Sequence, residues 1–149
     1  MTFNALRRGR FSEANRAYLV TAVTRHRLPV FTELRACRLL IREMRALHED
    51  AVVESIAWVV MPDHFHWLFR LENRLDLGQA INILKGRSSR AINRHLGRKG
   101  SLWQRAFHDH AVRDEEDLDE LAAYVVDNPL RAGLCESIRD YPHWDATWM

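Results

Sequence analysis

Two runs of strand-forming residues, joined by a short turn, constrain the fold of this chain more than any other feature. Residues Ala51–Val60 and His64–Leu71 are rich in apolar, β-branched and aromatic side chains, and the turn Met61–Asp63 between them contains a proline. This pattern predicts a β-hairpin. Because side chains along a strand alternate between its faces, the second run presents three aromatic rings on one face and the imidazoles of His64 and His66 on the other. The sequence therefore predicts a sheet with an aromatic core face and a second face that carries histidine.

The rest of the chain alternates between helical and extended patterns. The predicted strands are Tyr18–Thr24 and an irregular Trp103–Arg113, and the predicted helices are Thr32–Asp50 and Asp76–Leu96. Thr32 is a candidate N-cap for the first helix, and Gly97 ends the second. Asp114 is expected to cap a third helix, which stops at Pro129. The order β-α-β-β-α-β-α favours an α+β fold, a ferredoxin-like sandwich with a mainly antiparallel sheet and packed helices.

The composition favours one folded domain. The chain has 149 residues, of which 47% are hydrophobic and 28% charged. We expect a single domain over residues 1–149, with a basic N-terminal arm over 1–16 and an aromatic tail over 135–149. No apolar stretch approaches the roughly 20 residues of a membrane helix, and no secretory signal is recognisable. Cys37 and Cys135 match no metal-binding spacing, so a reduced, cytoplasmic setting is expected.

Basic residues concentrate in one segment although the net charge is only +2. All basic residues except two lysines are arginine, whose planar guanidinium can make two parallel hydrogen bonds to a phosphate. No acidic residue interrupts the segment 85–105, and arginines recur there at three- and four-residue spacing. The candidate DNA-binding residues are Lys85, Arg87, Arg90, Arg94, Arg98, Lys99 and Arg105. The segment predicts a surface for a nucleic-acid backbone, and the alternative is a solvated basic helix face.

Two pairs of residues carry candidate chemistry. Neutral imidazole is the commonest side-chain ligand of metals, so His64 and His66 are candidate ligands of one divalent cation. Tyr124 and Asn128 lie four residues apart and share one face of the third helix. The tyrosine oxygen could attack phosphorus beside a metal, and the amide oxygen could complete the metal's ligands. The alternatives are two histidines with ordinary structural partners, a boundary tyrosine, and an asparagine that caps the helix before Pro129.

Three motifs, in the same order along the chain, resemble those of the HUH (His-hydrophobic-His) nucleases. Met61–His66 (MPDHFH) resembles their paired-histidine strand, and Tyr124–Leu134 (YVVDNPLRAGL) resembles the nucleophile helix of their single-tyrosine transposases. Between them, Trp103–Asp109 (WQRAFHD) resembles a segment of the branch called REP-associated tyrosine transposases. The likeness runs from about Tyr18 to Leu134 and implies the HUH-nuclease type of α+β fold.

The resemblance implies a division of roles. His64 and His66 would bind Mg²⁺ or Mn²⁺, with Asn128 as the third protein ligand, and Tyr124 would attack the scissile phosphate. The products would be a 5′-phosphotyrosine link and a free 3′-OH. The chain would act as an endonuclease and strand transferase on single-stranded or hairpin DNA, namely palindromic repeats of a bacterial chromosome, and would be associated with the nucleoid. The sequence leaves open whether it is a monomer or a homodimer.

Two other functions stay open at this point. The first is a regulatory protein that binds hairpin DNA with little or no catalysis. The second is a zinc hydrolase that uses His64, His66, His108 and His110 and does not need Tyr124. No general base is evident, and His108 and His110 are only candidates. Trp103 could stack on an unpaired base, although a core position is the simpler interpretation.

Overall fold

A five-stranded antiparallel sheet forms the centre of the computed structural model, which describes residues 12–147. The strands are β1 (Ala17–Val23), β2 (Val53–Met61), β3 (His64–Leu71), β4 (His108–Ala111) and β5 (Trp144–Ala146), in the spatial order β4-β1-β3-β2-β5. The helices are α1 (Leu34–Glu49), α2 (Leu77–Leu96), α3 (Leu118–Val126) and the single turn α4 (Asn128–Arg131). Short 3₁₀ segments lie at Arg25–Arg27, Val30–Thr32 and Ile138–Asp140. The predicted α+β fold, with an antiparallel sheet and packed helices, is confirmed.

The sheet separates two helical layers. On one face, Phe65, Trp67 and Phe69 of β3 are fully buried beneath α1 and α2. On the other face, Leu68 packs in a second apolar cluster with Val125 and other residues of α3. The strict alternation along β3 therefore buries its aromatic side chains against α1 and α2, as the sequence predicts, and each such burial stabilises the fold by about 1.5–3 kcal/mol. Consequently α3 lies on the face that carries the histidines.

Two predicted helix caps are wrong. Glu33, not Thr32, caps α1, because its carboxylate accepts the backbone N–H groups of the first turn at 2.7 and 3.2 Å. The hydroxyl of Thr32 instead donates to the carbonyl of Pro29. Asp117, not Asp114, caps α3 in the same way, so the predicted first turn of that helix lies before it. The end of α2 is as predicted, because Gly97 adopts a left-handed conformation with φ of 67°.

The predicted fourth strand is mostly irregular. Only His108–Ala111 pairs with β1, and an isolated bridge joins Trp103 to Thr24. The segment before β4 is held to α2 by side chains. The ammonium of Lys85 donates to the carbonyls of Gln104 and Ala106 at 2.9 and 3.0 Å. These bonds replace strand pairing and fix the entry to β4.

The C-terminal segment is attached to the sheet. Trp144–Ala146 pairs with β2 as the edge strand β5, and the hydroxyl of Tyr141 donates to the carbonyl of Val60 at 2.6 Å. Residues 1–11 of the predicted basic arm and residues 148–149 of the predicted tail lie outside the described residues. Within residues 12–147, no helix combines the length and hydropathy that crossing a bilayer requires.

Candidate active site

The two histidines of β3 lie side by side on the face covered by α3. Their ring centroids are 4.9 Å apart and their planes are nearly perpendicular. The Nδ1 atom of His64 lies 2.6 Å from Oδ1 of Asp63, in the hairpin turn. The Nδ1 atom of His66 lies 2.6 Å from Oγ1 of Thr21, its cross-strand partner on β1. Each ring is thus oriented through Nδ1, and Nε2 is the nitrogen that would face a ligand.

Burial and neighbouring charge shift the pKa values of His66 and Asp63. The pKa of His66 is lowered to about 4, first by burial and then by the positive charges of His64, Arg131 and His108. Burial alone would raise the pKa of the Asp63 carboxyl, but the hydrogen bond and charge of His64, together with Arg27, lower it. Asp63 is therefore an anion at neutral pH and can accept a hydrogen bond from Nδ1–H of His64. In the tautomer in which Nδ1 carries the hydrogen, Nε2 of a neutral imidazole presents a lone pair, as a metal ligand must.

Any divalent cation held by His64 and His66 would need a further ligand that is neither histidine, cysteine nor carboxylate. No group of three or more His, Cys, Asp or Glu side chains within residues 12–147 is arranged to hold a metal. His110 is paired instead with Glu116 at 2.9 Å, so the four histidines of the zinc-hydrolase hypothesis do not form one site. The prediction that Asn128 shares the helix of Tyr124 is wrong, because that helix ends at Val126 and Asn128 begins the separate turn α4, which contains Pro129. The Nδ2 atom of Asn128 makes a long contact of 3.4 Å to the carbonyl of Val125. Its carbonyl oxygen Oδ1 is the kind of hard ligand that Mg²⁺ and Mn²⁺ accept.

The helix of Tyr124 packs over the same face of the sheet. Ala122, Val125 and Val126 are buried, while Tyr124 is 55% exposed. The guanidinium of Arg131 lies 3.9 Å from the centre of the tyrosine ring. The fold thus places the helix of the candidate nucleophile and the side chains of the two histidines on the same side of the sheet, although Tyr124 and His64 are about 60 residues apart in the sequence.

The predicted basic surface lies in the other layer. Arg87, Arg90 and Arg94 are exposed on α2, which packs against the aromatic face of the sheet. The other predicted residues of this surface differ in environment. Lys85 is half-buried with its ammonium bonded to two carbonyls, Arg98 donates to Asn93 at 2.9 Å, and Lys99 and Arg105 are exposed.

Trp103 and Trp67 occupy structural positions. Trp103 is 4% exposed, lies against the rings of Phe31 and Phe65, and donates from Nε1 to Oγ of Ser88 at 3.0 Å. Trp67 is fully buried and donates to Ser55. A buried indole cannot stack on a base without unfolding its surroundings, so the core interpretation of Trp103 is confirmed.

Three residues next to the candidate site were not identified from the sequence: Thr21, Asp63 and Arg131. Asp63 directly precedes the paired histidines, so the sequence alone could have indicated a carboxylate that orients one of the imidazoles. Arg131 gave no such indication, because it lies beyond the predicted end of the third helix and only the turn between α3 and α4 brings it to Tyr124. Thr21 gave no signal, because only the register of β1 against β3 brings it to His66.

Comparison with known proteins gives consistent matches. The family described as "Transposase IS200 like" matches residues 13–128. A protein of Haemophilus influenzae, provisionally named a REP-associated tyrosine transposase, is 33% identical over 69% of this chain and 66% of its own length. The REP-associated tyrosine transposase of Escherichia coli is 31% identical over 62% of this chain and 54% of its own length. The chain thus matches less than two thirds of the length of either relative.

A solved structure shows the same fold. The structure of a REP-associated tyrosine transposase bound to a REP hairpin superposes with a TM-score of 0.74 and 23% identity, over 91% of this chain and 79% of that one. A transposase structure from Deinococcus radiodurans superposes with a TM-score of 0.58 and 22% identity, over 89% and 95% of the two chains. At these identities the superpositions establish the arrangement of strands and helices.

Proposed function

Since the chain belongs to the IS200-like transposase family, in its REP-associated tyrosine branch, we propose that it is a metal-dependent DNA endonuclease and strand transferase with Tyr124 as nucleophile. The observation that carries this proposal is the packing of the Tyr124 helix on the face of the sheet where His64 and His66 lie together. An exposed tyrosine on the helix that packs over two oriented imidazoles suits a nucleophile beside a metal better than a boundary residue.

The proposed reaction exchanges one phosphodiester for another. The phenolic oxygen of Tyr124 forms a bond to phosphorus, and the bond from phosphorus to the 3′ oxygen breaks. The phenolic proton leaves to solvent and the departing 3′ oxygen takes one up, so that a 5′-phosphotyrosine and a free 3′-OH result. A second 3′-OH can reverse these steps and rejoin the strand without an external energy source, because the covalent link retains the phosphodiester.

His64, His66 and Asn128 are the residues that would hold the cation. Mg²⁺ or Mn²⁺, when bound, would supply Lewis-acid polarisation of the scissile phosphate. Asp63 and Thr21 would keep the imidazoles oriented, as partners behind the ligands do at metal sites generally. The low pKa of His66 keeps that imidazole neutral at physiological pH, which is the form that binds a metal.

We infer that the substrate is single-stranded or hairpin DNA, as the structure of the relative bound to a REP hairpin suggests. The exposed arginines of α2 would contact backbone phosphates, which position a nucleic acid without reading its sequence. Their separation from the histidines by the sheet implies that a bound hairpin extends around the edge of the domain. We propose further that the chain is a single domain and that it acts on chromosomal repeats in the cytoplasm, at the nucleoid.

A denaturing-gel assay tests it. The protein is incubated with Mn²⁺ and a labelled hairpin oligonucleotide taken from repeats that flank its own gene, beside the Tyr124→Phe variant. We expect a heat-stable, labelled protein band that requires both the metal and Tyr124. Tyr141→Phe is the matched control and should retain the band, because that hydroxyl is bonded to the carbonyl of Val60.

The other outcomes separate the alternatives. Tight hairpin binding without a covalent band would favour the regulatory DNA-binding protein. Cleavage by Tyr124→Phe without a covalent band would favour direct metal-assisted hydrolysis. A band that persists in Tyr124→Phe would remove this residue from the nucleophile role.

A further inference from the structure

Arg131 makes two contacts with Tyr124 that together fix its guanidinium. One is the stacking on the phenol ring at 3.9 Å, and the other is a hydrogen bond of 2.6 Å from Nη2 to the carbonyl oxygen of Tyr124. The one-turn helix α4 makes this possible, because it follows α3 after a single residue and Arg131 is its last residue. The guanidinium is therefore held over the ring of the candidate nucleophile.

The charge of Arg131 is not neutralised by a protein anion. Among the residues that the structure describes, no carboxylate forms an ion pair with it, whereas Arg16 and Arg27 are paired with Glu13 and Asp63. The residue is exposed, and a guanidinium has five N–H donors, of which the carbonyl of Tyr124 engages one. Donors thus remain at the edge of the cation for a ligand from solution.

The same charge lies on the side of the sheet that carries the histidines. The guanidinium of Arg131 lies over the ring of Tyr124, and the helix of Tyr124 packs on that face. An anionic group that approached the exposed tyrosine would therefore meet an unpaired cation beside the ring.

We propose that Arg131 binds the phosphate that Tyr124 attacks and holds the tyrosine ring in position for that attack. The inference rests on the proposed function, since it assigns a role within that site. Arginine suits the role because its planar fork offers parallel N–H donors to phosphate oxygens while its face stays stacked on an aromatic ring. Lysine would provide the positive charge, but it has neither a planar group to stack on the ring nor two parallel N–H donors.

A purely structural role is the competing explanation. The bond to the Tyr124 carbonyl by itself would only secure the end of α3, and its loss would lower thermal stability. A phosphate-binding cation differs in two measurable ways: its removal lowers the rate of the covalent step in the folded protein, and free guanidinium can replace it in part.

The experiment compares Arg131→Gln, Arg131→Lys and Arg131→Ala with wild type and with Arg139→Gln, a control that removes an exposed arginine elsewhere in the C-terminal segment. Single-turnover formation of the covalent band is measured at saturating hairpin. We expect Arg131→Gln to slow it about 100-fold, the usual effect of losing one charge-stabilising donor. Arg131→Lys should be intermediate, and millimolar guanidinium should partly restore Arg131→Ala but not Arg131→Gln.

A binding measurement decides the role of Arg131 even if wild type forms no covalent band, an outcome that would overturn the proposed function alone. In a Tyr124→Phe background, adding Arg131→Gln should reduce the salt dependence of binding to a single strand by about 0.7 in log–log slope, the value for one lost phosphate contact. An unchanged slope would overturn the proposal. So would full covalent activity in Arg131→Gln, or lost activity explained by a lower Tm and insensitive to guanidinium.

Discussion

Replacing Arg90 and Arg94 together by alanine should weaken hairpin binding and flatten its dependence on salt. Both side chains are exposed on α2, one helical turn apart and therefore on the same side. Each arginine that neutralises a phosphate of duplex DNA releases about 0.9 of a counterion, so losing two contacts should reduce the log–log slope by about 1.8. Between 50 and 200 mM salt, that difference changes the ratio of wild-type to variant affinity by about 12-fold.

Fluorescence anisotropy of a labelled hairpin across this salt range measures the slope directly. The matched control is Arg42→Ala with Arg45→Ala, because these exposed arginines of α1 carry the same charge in the same helical layer. A second control is Lys85→Met, whose ammonium is bonded internally to two carbonyls. We expect both controls to leave the slope within about 0.5 of wild type, since neither removes a proposed phosphate contact.

Two results would refute the reasoning. An unchanged slope in the Arg90 and Arg94 double variant would show that DNA follows another path over the surface. An equal decrease in the Arg42 and Arg45 control would show that the net charge, rather than the exposed stripe on α2, governs binding. Thermal melting of each variant verifies that the comparison is made between folded proteins.

Three further predictions concern other parts of the molecule. Trp103→Phe should lower the free energy of unfolding by about 1–3 kcal/mol, because the buried hydroxyl of Ser88 loses the indole donor; urea titration measures this, and a neutral effect would contradict the core role. Asp63→Asn should weaken Mn²⁺ binding about 10- to 100-fold, because a weaker acceptor then orients the neighbouring imidazole. Calorimetry measures that affinity, and wild-type binding by the variant would remove Asp63 from the metal site. Cys37, fully buried with its pKa raised to about 12, chiefly by burial, should not react with a thiol reagent in the native protein, whereas the partly exposed Cys135 should react. Two reactive thiols without denaturant would contradict this.

The sequence patterns that gave correct predictions are those that depend on only a few neighbouring residues. Alternation along His64–Leu71 sets which side chains face the core, because consecutive residues of any strand point to opposite sides. Gly97 ends α2 because glycine, which has no Cβ, adopts the left-handed backbone conformation without steric cost. The predictions of Thr32 and Asp114 as helix caps were wrong because each has another residue with a capping side chain, Glu33 or Asp117, within three positions. Propensity alone cannot choose between two such acceptors.

The segment Trp103–Arg113 shows where tertiary contacts override composition. Its apolar residues favour a strand, but the ammonium of Lys85 and the hydroxyl of Ser88 bind its first half to α2. Those contacts join residues 15 to 21 positions apart, so no local pattern reveals them. The same lysine, predicted as a DNA ligand from its position in a basic run, thereby faces the protein interior.

By itself the sequence determined the hairpin, the aromatic core face and the identity of the residues with candidate chemistry, because periodicity and side-chain chemistry are local properties. Only the tertiary structure decided which helix covers which face of the sheet. That choice places the helix of Tyr124 over the histidines and the arginines of α2 on the opposite side. It also brings Arg131 to Tyr124 and Thr21 to His66, since strand register and the turn between α3 and α4 are settled by packing of the whole domain.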